Sequence, residues 1–264
     1  MMGRTHAMSG AAAGLALAPV VGLDSVITAA PFAATVAGYA LVPDLDCHGA
    51  VASRLLGPFT GGLSRLLRWC SVRLYQATRG PEDEGGPKHG GHRHMTHCLL
   101  FVLLLGGLAA GTSLLSPWVV AGWLAFGVLA AASALGDWLL LIGGAAAALP
   151  TVLGHAAPVA VLAEMQGWVG IAVAVGCLVH VLGDMATVSG VPVLFPVPIR
   201  GETWQELHLL PRGFRLHTGK KVEQRLVFPG FVLAAAAAAL LMPDVRPHVL
   251  DLINHVQNVA GSEP

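Results

Sequence analysis

Between Arg93 and Arg200 the chain contains no lysine or arginine, and its acidic residues there are only Asp137, Glu164 and Asp184. Charged residues make up 11% of the whole, against about 25% in a soluble domain. This shortage of charge excludes a large soluble domain, because apolar stretches this long read as transmembrane helices. The formal net charge is zero, so no global basic field points to nucleic acid. Four cysteines, Cys47, Cys70, Cys98 and Cys177, lie far apart without a CxxC pair, which excludes a disulfide framework. No small-residue cleavage site follows the first apolar segment, which is therefore expected to stay as a helix rather than be removed as a signal peptide. Internal repeats are lacking. Ser9 and Ser189 have no base at a spacing that would make either a nucleophile.

What the chain does have is apolar bulk: 55% hydrophobic residues and a mean hydropathy of +0.68. Abundant Ala and Gly suit close helix packing in lipid. The pattern predicts an all-α, polytopic transmembrane helical bundle with about seven spans, forming one domain over residues 1–264. The spans are expected near 7–22, 26–43, 97–115, 117–136, 138–162, 166–187 and 227–243. The first, second and last are short for a bilayer, which needs about 20 residues. Ala18-Pro19-Val20 and Pro31 are expected to bend the first pair.

Basic residues test this count. They fall at Arg4, in the 47–96 loop and in the 190–226 loop, with Arg246 alone elsewhere. Seven spans place fourteen of the fifteen on one face, which the positive-inside rule makes cytoplasmic. Residues 62–78 put Leu63, Leu67, Cys70 and Leu74 on one stripe with Arg65, Arg68 and Arg73 off it, predicting an interfacial amphipathic helix at the cytoplasmic face. This helix would anchor the loop or grip an anionic lipid. Residues 79–91 read as a flexible linker.

The polar exceptions gather in four places. His6 opens the first span, Asp44 and Asp46 close the second, His92 and His97 open the third, and His180 and Asp184 end the sixth. In the charge-derived topology all four sites lie at one membrane level. His180 and Asp184, four residues apart, share a helix face. Charged groups at membrane depth are costly unless paired, hydrated or bound to metal. A divalent metal satisfies them together, and mixed His/Asp ligation suits Zn²⁺ first, then Mn²⁺ or Fe²⁺. Seven ligands exceed what one tetrahedral ion uses, so two or three ions are expected. The bland readings are a helix-end polar residue for His6, a helix-terminal turn for the aspartates, and a hydrogen-bonded pair for His180 and Asp184. His48, His89 and His94 read as solvated, and Asp137 as a residue supporting the site. His155 and Glu164 fall toward the opposite face.

On these residues the chain resembles the YdjM-like family of membrane-bound, LexA-regulated, metal-dependent hydrolases. The resemblance rests on His6, on Pro43-Asp44-Leu45-Asp46, on His92-Arg93-His94-Met95-Thr96-His97-Cys98, and on His180-Val181-Leu182-Gly183-Asp184 followed by Gly190-Val191-Pro192-Val193-Leu194-Phe195-Pro196. It covers about residues 4–198. His94 stands where the family has Gly and Cys98 where it has Ser, while Cys47 intervenes before His48. More distantly the pattern is similar to zinc-dependent phospholipase C, which implies phosphoester chemistry.

The resemblance implies a hydrolase using metal-activated water, with an aspartate, Asp44 or Asp46, as general base. Arg93 would clamp a phosphate, and Thr96 would orient substrate or cap the third span. A site at the inner leaflet of the cell membrane implies membrane lipids as neighbours and a lipid or lipid-linked phosphoester as substrate. Two other readings stand beside it: a transporter or channel for a metal ion or small solute, and a non-enzymatic protein whose metal ties helices together. The sequence carries no signal of oligomeric state.

Overall fold

A computed structural model describes residues 1–83, 89–141, 144, 152, 154 and 157–260. Among the described residues the regular structure is helical, with only isolated bridges such as Val191 to Leu207. The longer helices are α1 (Gly3–Leu17), α2 (Val26–Tyr39), α3 (Val51–Arg54), α4 (Pro58–Thr78), α5 (Leu99–Ser113), α6 (Pro117–Leu135), α7 (Pro158–Met185), α8 (Phe228–Leu240) and α9 (Arg246–Ala260).

Local chemistry sets several of the starts. Pro58, Pro117 and Pro158 occupy the first helical position, where the missing N–H costs nothing and the fixed φ favours the helix. Ser25 begins α2 with a capping box: its hydroxyl accepts from the Thr28 N–H at 3.2 Å, and Thr28 returns the bond.

Four described segments are long and apolar enough to cross a membrane: Val26–Asp46, Pro117–Leu135, Pro158–Met185 and Glu223–Leu240. The first runs through α2 into a tight turn, Pro43–Asp46, and the last joins a π-helical turn, Glu223–Val227, to α8. α5 is apolar but shorter. The expected first span, 7–22, is instead a 15-residue helix from Gly3, about 22 Å long at 1.5 Å per residue, because Pro19 ends the regular ladder. The helix at the expected sixth span, 166–187, begins earlier, at Pro158. The middle of the expected fifth span, 138–162, lies largely outside the described residues, as does His155, and the last five residues of that span belong to α7.

Small residues let the helices approach closely, as lipid-embedded packing requires. A Cβ at Gly38 would lie 1.8 Å from the carbonyl oxygen of Gly127 on α6. One at Gly176 of α7 would lie 2.5 Å from the Val36 carbonyl of α2. The contacts define directions. Phe32 meets Trp168, and Gly176 meets Tyr39 and Ala40, so α2 and α7 run parallel. Gly106 meets Gly170 and Ala174, and Gln166 donates to the Ser113 carbonyl at 3.0 Å, so α5 runs antiparallel to α7. Gly10 meets Ala37 and Gly14 meets Ala33, so α1 runs antiparallel to α2. The starts of α1 and α5 and the ends of α2 and α7 therefore converge, as the polar clusters predicted.

α4 is amphipathic with a different inward stripe. Leu63, Leu67, Cys70 and Leu74 are half-buried, while Thr60, Ser64, Ser71 and Tyr75 pack deepest. At the described ends of the expected 79–91 linker, hydrogen bonds join it to its neighbours. The Asp83 carboxylate accepts from the N–H groups of Gly80, Thr203 and Trp204 at 2.6, 2.9 and 3.0 Å, and Ser71 donates to the Gly90 carbonyl. Residues 84–88 lie outside the described set.

Candidate metal centre

The cluster is built from helix ends. His6 lies in the first turn of α1, Asp44 and Asp46 in the turn after α2, His97 in the short turn before α5, and His180 with Asp184 in the last two turns of α7. His6, Asp46, His97, His180 and Asp184 are completely buried. Asp44 is the partial exception, its side chain 19% exposed.

Asp44, His97, His180 and Asp184 each offer one ligand atom, and the four atoms lie within 4.8 Å of one another. The two imidazole Nε2 atoms are 3.1 Å apart. Asp44 Oδ1 lies 3.7 Å from His97 Nε2 and 3.6 Å from His180 Nε2, and Asp184 Oδ2 lies 3.6 and 3.7 Å from the same two nitrogens. Ligand atoms about 2.1 Å from a tetrahedral ion are about 3.4 Å apart, so these separations fit one cation.

Proton bookkeeping supports the same fit. His180 Nδ1 lies 2.7 Å from the Ala40 carbonyl oxygen, which only accepts, so Nδ1 carries the hydrogen. The Thr96 hydroxyl donates to Asp46 Oδ2 at 2.8 Å, so toward His97 Nδ1, 2.9 Å away, it accepts. In the neutral rings both Nε2 atoms then present lone pairs to each other and to two carboxylates. None of the four acceptors carries a hydrogen for another, and only Asp184 Oδ2 meets a donor from outside the set, the Arg93 guanidinium, an arrangement a further cation resolves.

His6 adds to the electron-rich set. It stacks on His180 with centroids 3.8 Å apart, and its Nε2 lies 3.3 Å from Asp184 Oδ1. Neither of its buried ring nitrogens has a hydrogen-bond partner among the described residues. The Met1 amine also contacts Asp184 Oδ1. A second group, Asp44, Asp46 and His92, lies alongside, with His92 Nε2 4.0 Å from Asp44 Oδ1.

Asp46 takes a role that spacing alone did not reveal. Its carboxylate lies 2.6 Å from His92 Nδ1 and accepts from the Arg93 N–H at 3.2 Å and from Thr96. It orients two histidines rather than facing the four-atom cluster. Thr96 does not cap α5, which starts after Cys98 without a side-chain cap. Arg93, expected to clamp a phosphate, directs its guanidinium to Asp184 Oδ2 at 3.1 Å and Thr187 Oγ1 at 3.1 Å. Its backbone has φ 61°, a left-handed conformation that aims the side chain inward.

Asp137 and His48 are exposed and in neither group. His94 packs edge-on against Tyr75, 4.9 Å between centroids, and burial lowers the pKa of its imidazole. Ala40 and Thr187 were not legible as site residues, because a backbone carbonyl and a hydroxyl after a helix carry no spacing signal.

Buried His and Asp gathered at helix ends, in a chain with four described segments long and apolar enough to cross a membrane, define a membrane protein with a cluster that could hold a metal ion. The family model described as YdjM inner membrane protein matches residues 1–242. The chain belongs to that family. No curated protein and no solved structure matches it, so the expected likeness to zinc phospholipases has no support there.

Proposed function

We propose that the protein is a membrane-bound, metal-dependent hydrolase that acts with metal-activated water on a phosphoester, a phospholipid or lipid-linked molecule at the inner leaflet. One observation carries the reading: four inward-facing acceptor atoms, spaced for one cation, lie at helix ends where Asp44 opens to the outside. Asp44 lines a cavity of about 190 Å³ beside Met2, Gly3 and Ala50, so the cluster has an entrance, unlike a buried helix tie. A catalytic metal site keeps an open position in this way, whereas a structural one is closed.

Asp44, His97, His180 and Asp184 would hold the first ion, with Zn²⁺ best suited to the donor set and its spacing. His6 and His92 extend the ligand set toward a second or third ion. A divalent cation there would polarise a phosphoryl oxygen and acidify water. Asp44, on the open side, is the carboxylate placed to take a proton from incoming water. Asp46 holds His92 and, through Thr96, His97 in the orientation that points Nε2 inward. Arg93 offsets the carboxylate charge at Asp184 and would meet a phosphate at the rim.

The reading includes a seven-span topology with this face cytoplasmic and α4 lying in the interface. Phe59, Leu66 and Trp69 are exposed along one face of α4, and the Arg73 guanidinium sits 5.3 Å from the Trp69 ring centroid. Apolar anchors beside a cation suit an anionic leaflet.

The test is elemental analysis of detergent-purified protein beside an Asp46→Ala/His97→Ala variant, followed by hydrolysis assays on phosphatidic acid and a water-soluble phosphoester. Stoichiometric metal that the variant loses, with metal-dependent turnover, supports the hydrolase. Wild-type protein that takes up no metal on reloading refutes it.

A further inference from the structure

On its other side, the turn that carries Asp44 and Asp46 borders a second cavity. Val42 and Leu45 point into a groove of about 510 Å³, within the range of about 300–1,000 Å³ common for ligand pockets. Phe59 and Leu63 of α4 form one wall, Leu105 of α5 another, and Val119 to Phe126 of α6 a third. The two lining side chains with polar atoms are both spent. The Tyr39 hydroxyl donates to the Trp123 carbonyl at 3.0 Å, and the Trp123 indole donates to Thr112 at 3.0 Å. A polar ligand would find no partner there and would lose its hydration for nothing.

The groove lies between α2 and α6, both parts of segments of membrane-crossing length and composition, so its open side faces hydrocarbon. In hydrocarbon the occupant at hand is a lipid chain. Leu45 sits between the two aspartates in sequence, so a molecule with its chain against Leu45 has its headgroup end near Asp44. We infer that this groove holds one acyl chain of the phosphoester substrate while the phosphate lies at the metal centre. The inference rests on the hydrolase reading for the identity of the headgroup site, and on the groove alone for the chain. It makes the substrate a glycerophospholipid drawn sideways from the leaflet, with Phe59 and Leu63 of the amphipathic helix over its chain.

Gly122 supplies the handle. A Cβ there meets open space, so a large side chain fills the groove without displacing a neighbour. Full-length protein would be placed in phosphatidylcholine nanodiscs with phosphatidic acid carrying a mid-chain diazirine, irradiated and mapped by peptide mass spectrometry. The expected label falls on residues 58–63 and 119–126 and drops about tenfold in Gly122→Trp, equivalent to about 1.4 kcal/mol. Gly107→Trp, also in open space but outside the groove lining, keeps the wild-type label.

Labelling spread over Leu103, Leu104 and Leu108 and equal in both variants overturns the chain site. Metal content and turnover of the water-soluble phosphoester, measured in the same wild-type preparation, separate the two readings. Metal and turnover without groove label overturn the acyl site alone. Groove label without metal or turnover overturns the hydrolase, and with it the substrate assignment, leaving a lipid-chain site.

Discussion

Replacing Thr96 by valine removes one oxygen and little volume, yet it cuts the link between two buried groups. Asp46 Oδ2 loses the donor at 2.8 Å, and His97 Nδ1 loses the acceptor at 2.9 Å. The lost bond to Asp46 is charge-assisted, worth about 1.5–3 kcal/mol. The other group near His97 Nδ1 is Asp46 Oδ2 at 3.9 Å, beyond hydrogen-bond reach, so the hydroxyl is what holds the ring with Nε2 inward through that atom. Removing a group that orients a metal ligand costs about 10–100-fold in metal affinity, which is about 1.4–2.8 kcal/mol. The assay is competition for zinc between the detergent-solubilised protein and a chromophoric chelator at fixed pH. Thr96→Val should bind zinc about 10–100-fold more weakly, and Thr96→Ser, which restores the hydroxyl, should recover most of the loss. Unchanged affinity in Thr96→Val, or a serine variant as weak as valine, would refute the orienting role and return Thr96 to a packing residue.

Other outcomes follow from the same geometry. Asp184→Asn keeps the shape but removes the charge that meets His6, His97, His180 and Arg93. It should abolish stoichiometric metal in elemental analysis, and retained metal would exclude Asp184 as a ligand. Metal uptake should weaken as pH falls, because imidazole and carboxylate ligands must give up protons to bind. Zinc titrations across the range would show it, and a flat profile would argue against histidine ligation. Gly38→Ala forces a methyl against the Gly127 carbonyl and should cost about 1–3 kcal/mol through overpacking. Thermal unfolding followed by size-exclusion would show a lower midpoint, whereas Gly107→Ala, in open space, should not lower it.

Much of the architecture was legible in the chain. The absence of charge between Arg93 and Arg200 marked membrane-length helices, and α6 matches its expected bounds to one residue because Pro117 starts it and Gly136 follows it. The α7 start was missed by eight residues because periodicity does not separate one long apolar helix from the end of a preceding one, whereas Pro158 at its first position does. The residue types of the cluster and their convergence were also legible, since α1 runs antiparallel to α2 and α5 antiparallel to α7, which carries distant clusters to one level.

The amino-acid sequence by itself determined where some helices begin, such as α2 and α6, that the apolar runs belong in lipid, and which residue types stand at the helix ends. These are local matters of backbone hydrogen bonding, proline geometry and apolar run length. Only the tertiary structure decided that Asp44 faces His97 and His180 while its neighbour Asp46 turns away to orient His92 and Thr96. It alone aimed Arg93 at Asp184 and brought the Ala40 carbonyl to His180. Those choices depend on how closely helices far apart in sequence approach, which is governed by contacts such as Gly176 on Val36, and no local pattern encodes the rotation of one helix against another.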